Sequence, residues 1–342
     1  MKIYYDADLD TRSFEGRTTI AGKIKSFLEK EGFSFVDHPS QADLIHVHSS
    51  GIGESYQAYK NKKKYGIPCI YSLYSNSQTE PINHIRNFLL QSRVLEKGAT
   101  SGWLSYSAII PLRLRAIFLT KLDKVVVPSQ HIKSRLGGKN SALIRFGIDT
   151  TKFKPIKQKN NRNSTIKVAF FGHPGVFKGQ TDFIRASKHF AEHIEAHMFF
   201  TNPSKKTDNY IKKNNPNIQI HGYVDDIVKT YNEMDIIVLP YRNPLGAIAN
   251  PLILLEAMSC GKAVITTNLP FLKEIVQDAA LTVRPYTPKE LAKAVNWLSH
   301  HPEKRAELGL KAREVIIKNH HQEKMFADYL ELYQKIKTQH QQ

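Results

Sequence analysis

Two cysteines stand in 342 residues, Cys69 and Cys260, each in an apolar segment. Their number and spacing fit neither a disulfide framework nor a zinc site, so a chain kept reduced in the cytoplasm is expected. The Asn163-Ser164-Thr165 sequon carries no weight in that compartment. Long apolar runs are also missing. None reaches the roughly 18 to 20 residues of a membrane span, and the opening Met-Lys-Ile-Tyr-Tyr-Asp does not read as a signal peptide. Acidic side chains are scarce, 31 Asp and Glu against 49 Lys and Arg, for a formal net charge of +18. The imbalance is local. Residues 84–145 hold 11 basic and 2 acidic residues, interleaved with Phe88, Leu90, Trp103, Ile110 and Phe118. Cations among large apolar residues suit an anionic membrane surface, at about 1 kcal/mol per cation near such lipids. Nucleic acid is the rival partner, disfavoured because aliphatic residues outnumber the planar aromatics that a single-stranded site stacks on.

The length suffices for two domains, each with its own core. Short β-like runs alternate with amphipathic helical ones. Lys2–Tyr5, Ala42–His48, Ile67–Leu73 and Lys124–Pro128 read as strands, and Thr18–Lys30 as a helix with Ile20, Ile24, Phe27 and Leu28 on one face. The polar, basic stretch from Lys154 to Arg162 reads as a linker. A second series of strands begins at Ile166–Phe171 and continues through Ala196–Phe200, Ile218–His221, Ile236–Leu239, Ala263–Thr266 and Leu281–Val283. Asp182–His193, Asp226–Glu233 and Pro288–Leu298 are helical between them, and Glu303–Lys337 reads as one helix throughout. The fold class is therefore α/β, with two doubly wound parallel sheets facing each other across a cleft. Ligands in such folds bind at the carboxyl ends of the strands.

Two strand-end segments stand out. Between Pro244 and Gly261 there is a single charged residue, Glu256, and a lone carboxylate in so apolar a run is costly to bury without a partner. Asn250 suits an N-cap, Pro251 a first helical residue and Gly261 the position past the end, which predicts a helix over Pro251–Cys260. The small residues Gly246, Ala247 and Ala249 before it would leave its N-terminus open to an anion. A structural Glu paired with a distant Arg or Lys is the alternative reading. The other segment, Gly172-His-Pro-Gly-Val-Phe-Lys178-Gly179, joins a strand to a helix. Its glycines would let backbone N–H groups approach phosphates beside a Lys, although it is neither a Walker loop nor G-x-G-x-x-G. Together the two segments describe a nucleotide-diphosphate pocket better than either does alone.

In order and spacing, Ser129–Leu136, Ile144–Pro155, Gly172–Gly179, Gly222-Tyr-Val-Asp-Asp, Asp235–Pro240, Leu255–Val264 and Phe271–Ile275 resemble one family. It is the large group of retaining, nucleotide-sugar-dependent glycosyltransferases with the GT-B fold, glycosyl transferases group 1. The likeness is nearly continuous from about 124 to 318 and weaker before 120. It implies an acceptor-side domain at 1–157, a donor domain at 158–319 and a C-terminal helix of about 320–342 returning to the first domain. It also implies a metal-independent hexosyltransferase without cofactor, using a UDP- or GDP-linked sugar; with the basic 84–145 region, the acceptor is expected to be a glycan or glycolipid met at the cytoplasmic face of a membrane, with no nucleic-acid partner. Carried over by position, Lys178 binds the diphosphate and Glu256 the ribose, as the second Glu of an E-x7-E signature. Gly16 and Arg17 lie in the loop over the donor phosphates, and His173, Gly222, Tyr223, Tyr241, Asn250 and Leu252 contribute to the donor pocket. His48, in the strand end His46-Val47-His48, joins Lys178 as a candidate catalytic residue.

Three positions depart from the family pattern. The first Glu of the signature is Ile248, the Arg after the phosphate-loop glycine is His173, and the cleft His after the fourth strand is Tyr74. The missing carboxylate keeps a sugar-nucleotide-binding protein on a degenerate transferase fold as the rival reading, besides an epimerase, a phosphorylase or a polyanion-binding protein. Asp6-Ala-Asp8-Leu-Asp10 contains two D-x-D triplets, a metal-chelating pattern in the other glycosyltransferase fold. After a first strand they read as a turn.

Overall fold

The computed structural model describes residues 1–9, 16–49, 51–74, 90, 112–136, 138, 140–156, 165–202, 204–244 and 250–339. Two six-stranded parallel sheets organise it. The first comprises β1 (Lys2–Asp6), β2 (Ser34–Val36), β3 (Leu44–Ser49), β4 (Cys69–Leu73), β5 (Lys124–Val127) and β6 (Ser141–Leu143), in the order β2-β1-β3-β4-β5-β6. The second comprises β7 (Ile166–Gly172), β8 (Ile194–Phe200), β9 (Gln219–His221), β10 (Ile236–Leu239), β11 (Ala263–Thr267) and β12 (Leu281–Val283), in the order β12-β11-β10-β7-β8-β9. Strand order reverses about β1 in the first sheet and between β7 and β10 in the second. These are the crevices where open α/β sheets hold ligands.

Both faces of each sheet are buried, which is why the strands read as apolar runs rather than alternations. On one face of the first sheet Ile45, Val47, Tyr71, Leu73, Val125 and Val127 pack together. The other face carries Ile3, Leu44, Ile70 and Val126, which join a core running on into the second lobe. Within that apolar face lies a polar stripe of His46, His48, Ser72 and Tyr74, all buried. In the second sheet Val168, Phe170, Met198, Ile236, Val238 and Ile265 pack under the Gln180–Ser187 and Pro288–Ser299 helices.

The structure departs from the sequence reading at several boundaries. The short strands β2 and β6 carry too few residues to show a period and were not anticipated. The helix expected over Asp182–His193 runs from Gln180 to Ser187. The C-terminal helix is two helices, Pro302–Asn319 and Gln322–Gln339. At the break, Ile148 N–H donates to His320 O (2.9 Å), Gln322 N–H donates to Ile148 O (3.0 Å) and the His320 ring bonds Phe146 O (2.9 Å). The backbone groups freed by the break are thus taken up by the 146–148 segment. Gly147 permits the approach, since a Cβ there would lie 2.5 Å from Gln322 Cα. Beyond the break the chain returns to the first lobe. Phe326 stacks on Phe27 at 4.5 Å, and Tyr329 and Tyr333 bond Ser72 and His46. Residues 157–162 of the expected linker lie outside the described residues, whereas Ile156 N–H is held by Asn232 Oδ1 (2.9 Å).

The carboxyl edges of the two sheets meet through hydrogen bonds. Glu274, in the helix after β11, accepts from Ser129 Oγ (2.8 Å), Gln130 N–H (2.8 Å) and His131 N–H (3.1 Å) after β5, with Arg145 at 3.4 Å. Phe146 N–H, after β6, donates to Asn250 Oδ1 (3.1 Å), after β10. Burial alone would raise the Glu274 pKa; the hydrogen bonds and Arg145 outweigh it and hold the carboxyl below its ordinary 4.5. The stability this carboxylate contributes is therefore present above that value and lost as pH falls through the folded pKa. Glu274→Ala is expected to cost about 2 kcal/mol in urea unfolding near neutral pH. The gap to wild type should narrow in acid, and an equal gap at about pH 3 would contradict the assignment.

Candidate functional site

The loops after β7 and β10 flank the reversal of the second sheet. After β7 the backbone makes a 3-10 turn at Val176–Lys178, with Lys178 N–H on Gly175 O (3.1 Å) and Gly179 N–H on Val176 O (3.0 Å). Gly179 closes the turn at φ +83°, and a Cβ there would meet Pro240 O at 1.8 Å. Only glycine satisfies both the left-handed backbone and that contact. Arg242 N–H then reaches back to Phe177 O (2.9 Å). Its guanidinium holds Asp182, in the first turn of the following helix, through Nε to Oδ2 at 2.7 Å and Nη2 to Oδ1 at 2.6 Å. Both side chains are almost fully enclosed, at 3% and 4% exposure. The Lys178 stem crosses Gly172, where a Cβ would come within 3.2 Å of its Cδ. The Lys178 side chain and His173 remain half-buried at the strand end.

The helix after β10 spans Leu252–Ser259 with Pro251 as its N-cap, and Gly261 follows it at φ +67°. This corrects the expected Asn250 cap and Pro251 start. The Asn250 side chain serves Phe146 of the other lobe instead, and the backbone at Pro251, with ψ 120°, is still extended. Residues 245–249, including Gly246, Ala247, Ile248 and Ala249, lie outside the described residues. Glu256 falls in the second helical turn. Its Oε2 accepts from the Tyr231 hydroxyl (2.9 Å), and Tyr231 in turn stands edge-on to Phe171 of β7. The carboxyl group lies deep among protein atoms, although the residue keeps a partial opening to solvent. Burial raises its pKa to about 7; the Tyr231 hydrogen bond and the charges of Lys23 and Lys152 act in the other direction. Lys23 belongs to the Gly16–Lys30 helix of the first lobe, so that helix faces Glu256.

Gly16 and Arg17 form the first turn of that helix, close behind β1. His46 and His48, at the end of β3, are enclosed. His46 bonds Ser72 Oγ (2.8 Å) and the Tyr333 hydroxyl, while His48 bonds the Tyr74 hydroxyl (2.5 Å) and His46 (3.1 Å). Burial drives the His46 pKa down to about 3; burial and the neighbouring His46 lower that of His48. Both rings are neutral near pH 7 and act as hydrogen-bonding groups. Tyr241 is buried behind the β10 loop, its carbonyl taking the Thr267 hydroxyl at 2.7 Å. Leu252 opens the helix and packs partly on the core. Gly222 and Tyr223 follow the edge strand β9, two strands away from β7, with Tyr223 exposed. The loops after β7 and β10 thus bring together Gly172–Lys178, Tyr241, Asn250, Leu252 and Glu256, and leave Gly222 and Tyr223 at the sheet edge. Tyr231, Lys23 and the Asp182–Arg242 pair were missed from the sequence, because each takes its meaning from a partner 25 residues or more away. Asp6 and Asp8 lie at the end of β1, and no group of three metal-ligating side chains forms among the described residues.

The fold is that of GT-B glycosyltransferases. HepE of Anabaena, solved in complex with UDP and glucose, aligns with a TM-score of 0.72 at 15% identity over 97% of this chain and 99% of its own. A glycosyltransferase from Rickettsia africae aligns at 0.68 and 16% identity over 98% of each chain. Sucrose-phosphate synthase from Thermosynechococcus elongatus aligns at 0.67 and 15% identity over 94% of this chain and 79% of its own. No curated protein matches the sequence. The model of the family described as glycosyl transferases group 1 matches residues 152–315. The chain thus has the GT-B fold, and its residues 152–315 match the group 1 glycosyl transferase model.

Removing one partner of the enclosed Asp182–Arg242 pair strands the other charge. Arg242→Met is expected to destabilise by about 3–5 kcal/mol, and Asp182→Asn combined with it by less than the sum of the single changes. Additive losses in denaturant titrations would dissolve the pair as a unit.

Proposed function

We propose that this protein transfers a sugar from a nucleoside diphosphate sugar to an acceptor hydroxyl, with retention and without a metal ion, residues 158–319 holding the donor and 1–157 the acceptor. The observation that carries the reading is that Asp182, in the helix after the Lys178 turn, and Arg242, in the loop after β10 that leads toward the Glu256 helix, are bound together at one strand reversal. Lys178 and His173 supply countercharge and hydrogen-bond donation to the diphosphate as charge develops on it. Glu256 accepts from the ribose hydroxyls, steadied by Tyr231. The bond from the acceptor oxygen to the anomeric carbon forms on the face that the diphosphate leaves. The acceptor proton passes to the departing phosphate oxygen, which leaves neutral His48 to orient groups. The UDP and UDP-glucose bound by HepE make UDP-sugars the first donors to test. The membrane-borne glycan or glycolipid acceptor on the cytoplasmic face is expected from the basic 84–145 region, of which 84–89, 91–111, 137 and 139 lie outside the described residues; the Ile52–Tyr65 helix, packed on Leu112–Leu119, adds exposed Lys60, Lys63 and Lys64. No helix among the described residues is long and apolar enough to cross a membrane.

A UDP- or GDP-sugar is expected to raise the melting temperature by several degrees, since a ligand at 100 times its Kd stabilises by about 2.7 kcal/mol. Lys178→Ala should abolish the shift. If no nucleotide sugar stabilises the wild type, or the variant responds like it, the proposal fails.

An ionised Glu256 accepts two ribose hydroxyls and a protonated one does not. With its pKa raised to about 7, donor affinity should therefore tighten roughly tenfold between about pH 6 and pH 8. Isothermal titration of Glu256→Gln should show weaker binding without that step. A step that survives in the variant belongs to another group.

A further inference from the structure

A cavity of about 270 Å³ opens at the carboxyl ends of β1, β3 and β4, with Asp6, Asp8, Glu54, His48 and Tyr74 in its lining. His48 and Tyr74 begin a hydrogen-bonded chain that runs from there to the Gln322–Gln339 helix. The Tyr74 hydroxyl bonds His48 Nδ1 (2.5 Å), and His48 Nε2 bonds His46 Nδ1 (3.1 Å). His46 Nε2 bonds Ser72 Oγ (2.8 Å), which bonds the Tyr329 hydroxyl (3.1 Å). The Tyr333 hydroxyl makes a second contact to His46 Nδ1. All six side chains are buried. The Tyr333 ring also stands edge-on to Phe33 at 5.7 Å, which fixes where its hydroxyl points.

Each of these five contacts needs a hydrogen, and a neutral imidazole carries one N–H. The two rings meet nitrogen to nitrogen, so one donates to the other. If His46 donates through Nδ1–H, that single hydrogen has to serve both His48 Nε2 and the Tyr333 oxygen. Ser72 then donates to His46, Tyr329 to Ser72, and His48 Nδ1–H to Tyr74. Four hydrogens are spread over five contacts. If His48 donates through Nε2–H instead, every contact has a hydrogen of its own. Tyr333 donates to the bare Nδ1 of His46, His46 Nε2–H to Ser72, and Tyr74 to the bare Nδ1 of His48. Ser72 and Tyr329 share the remaining bond in either sense. A hydroxyl hydrogen is left over in both arrangements, so the number of bonds made decides between them.

We infer that Tyr333, in the last helix, is a positioning residue that holds His46 and His48 as Nε2–H tautomers and commits the Tyr74 hydroxyl hydrogen inward, to His48. His48 then has no nitrogen free to take a proton, and Tyr74 turns oxygen lone pairs toward the strand ends. The bearing of this arrangement on the reaction rests on the transferase reading; the placement of the hydrogens does not.

The test is nitrogen NMR of the full chain with isotope-labelled histidine, near pH 7 and without nucleotide, since protonated and bare ring nitrogens resonate far apart. The two rings are identified by their through-space contacts to Tyr74 and Tyr333. Both should be Nε2–H in the wild type. Tyr333→Phe should bring in the Nδ1–H form of both rings, because without the Tyr333 contact that arrangement also gives each remaining bond its own hydrogen. Tyr329→Phe removes the same atom from the same helix and should leave both rings Nε2–H, so a general loosening of the helix would not reproduce the pattern. A wild type with either ring as Nδ1–H, unchanged tautomers in Tyr333→Phe, or the same change in Tyr329→Phe would overturn the inference. The melting-temperature response of the wild type to UDP-glucose is read separately. A response to the nucleotide sugar with the wrong tautomers keeps the donor reading and loses this inference; the expected tautomers without a response do the reverse.

Discussion

The enclosed pair of Asp182 and Arg242 is the constraint on which the second lobe's site depends. Parallel sheets leave their strand-end loops independent, each answering to its own crossover helix. Here the first turn of the helix after β7 is bound through two short hydrogen bonds to the loop after β10. Arg242 adds a backbone bond to Phe177, and Gly179 admits Pro240 where no side chain would fit. Two loops that meet only at a reversal of strand order thereby become one wall. An apolar substitute for the pair would stabilise as well or better; a planar, two-point contact sets the spacing between the loops, which a greasy contact would not.

The lobes are joined with the same economy of residues. Glu274 reaches across to gather two backbone N–H groups and a hydroxyl, Asn250 reaches across to Phe146, and the helical break at His320 carries the chain back to pack on the first sheet. Each junction uses a polar group whose hydrogen bonds close only when both lobes are in register. Hydrophobic burial holds the cores together without direction; these few polar contacts supply the relative orientation. The buried stripe of His46, His48, Ser72 and Tyr74 belongs to this scheme, since Tyr329 and Tyr333 of the last helix complete it.

The strands longest in apolar β-branched residues, β7, β10 and β11, were legible within a residue or so, because burial on both faces writes a continuous pattern. β2 and β6, at three residues each, wrote none. Glu256 was visible as an oddity, a charge alone in an apolar run, and the structure places it in the expected second turn of its helix. Its companion Tyr231 was not visible, since a tyrosine 25 residues earlier has no sequence mark distinguishing it from core. Asn250 was misread for an instructive reason. An Asn before a Pro is a good local cap, but the backbone amide of Phe146 needed an acceptor and took the side chain first. The break at His320–His321 was hidden likewise, because both neighbours have ordinary helical composition and the interruption is imposed by Ile148 and Gly147 from a distant segment.

Among the described residues the two strand reversals present charges of opposite sign. On the second lobe the strand reversal presents Lys178 and a helix beginning at Leu252, both suited to phosphate. On the first lobe the corresponding reversal presents Asp6, Asp8 and Glu54. The chain as a whole is basic, so the acidic cavity is a local exception to the background rather than a sample of it. One contact runs counter to the division: Lys23 of the first lobe is set toward Glu256 of the second. Burial disfavours the charge of each, and each favours the charge of the other. A ribose seated on Glu256 would enter this field rather than bare solvent. Burial pushes the Glu256 pKa up to about 7 while the Tyr231 hydroxyl, Lys23 and Lys152 act against it, so the protonation of this carboxyl depends in part on a lysine from the opposite lobe.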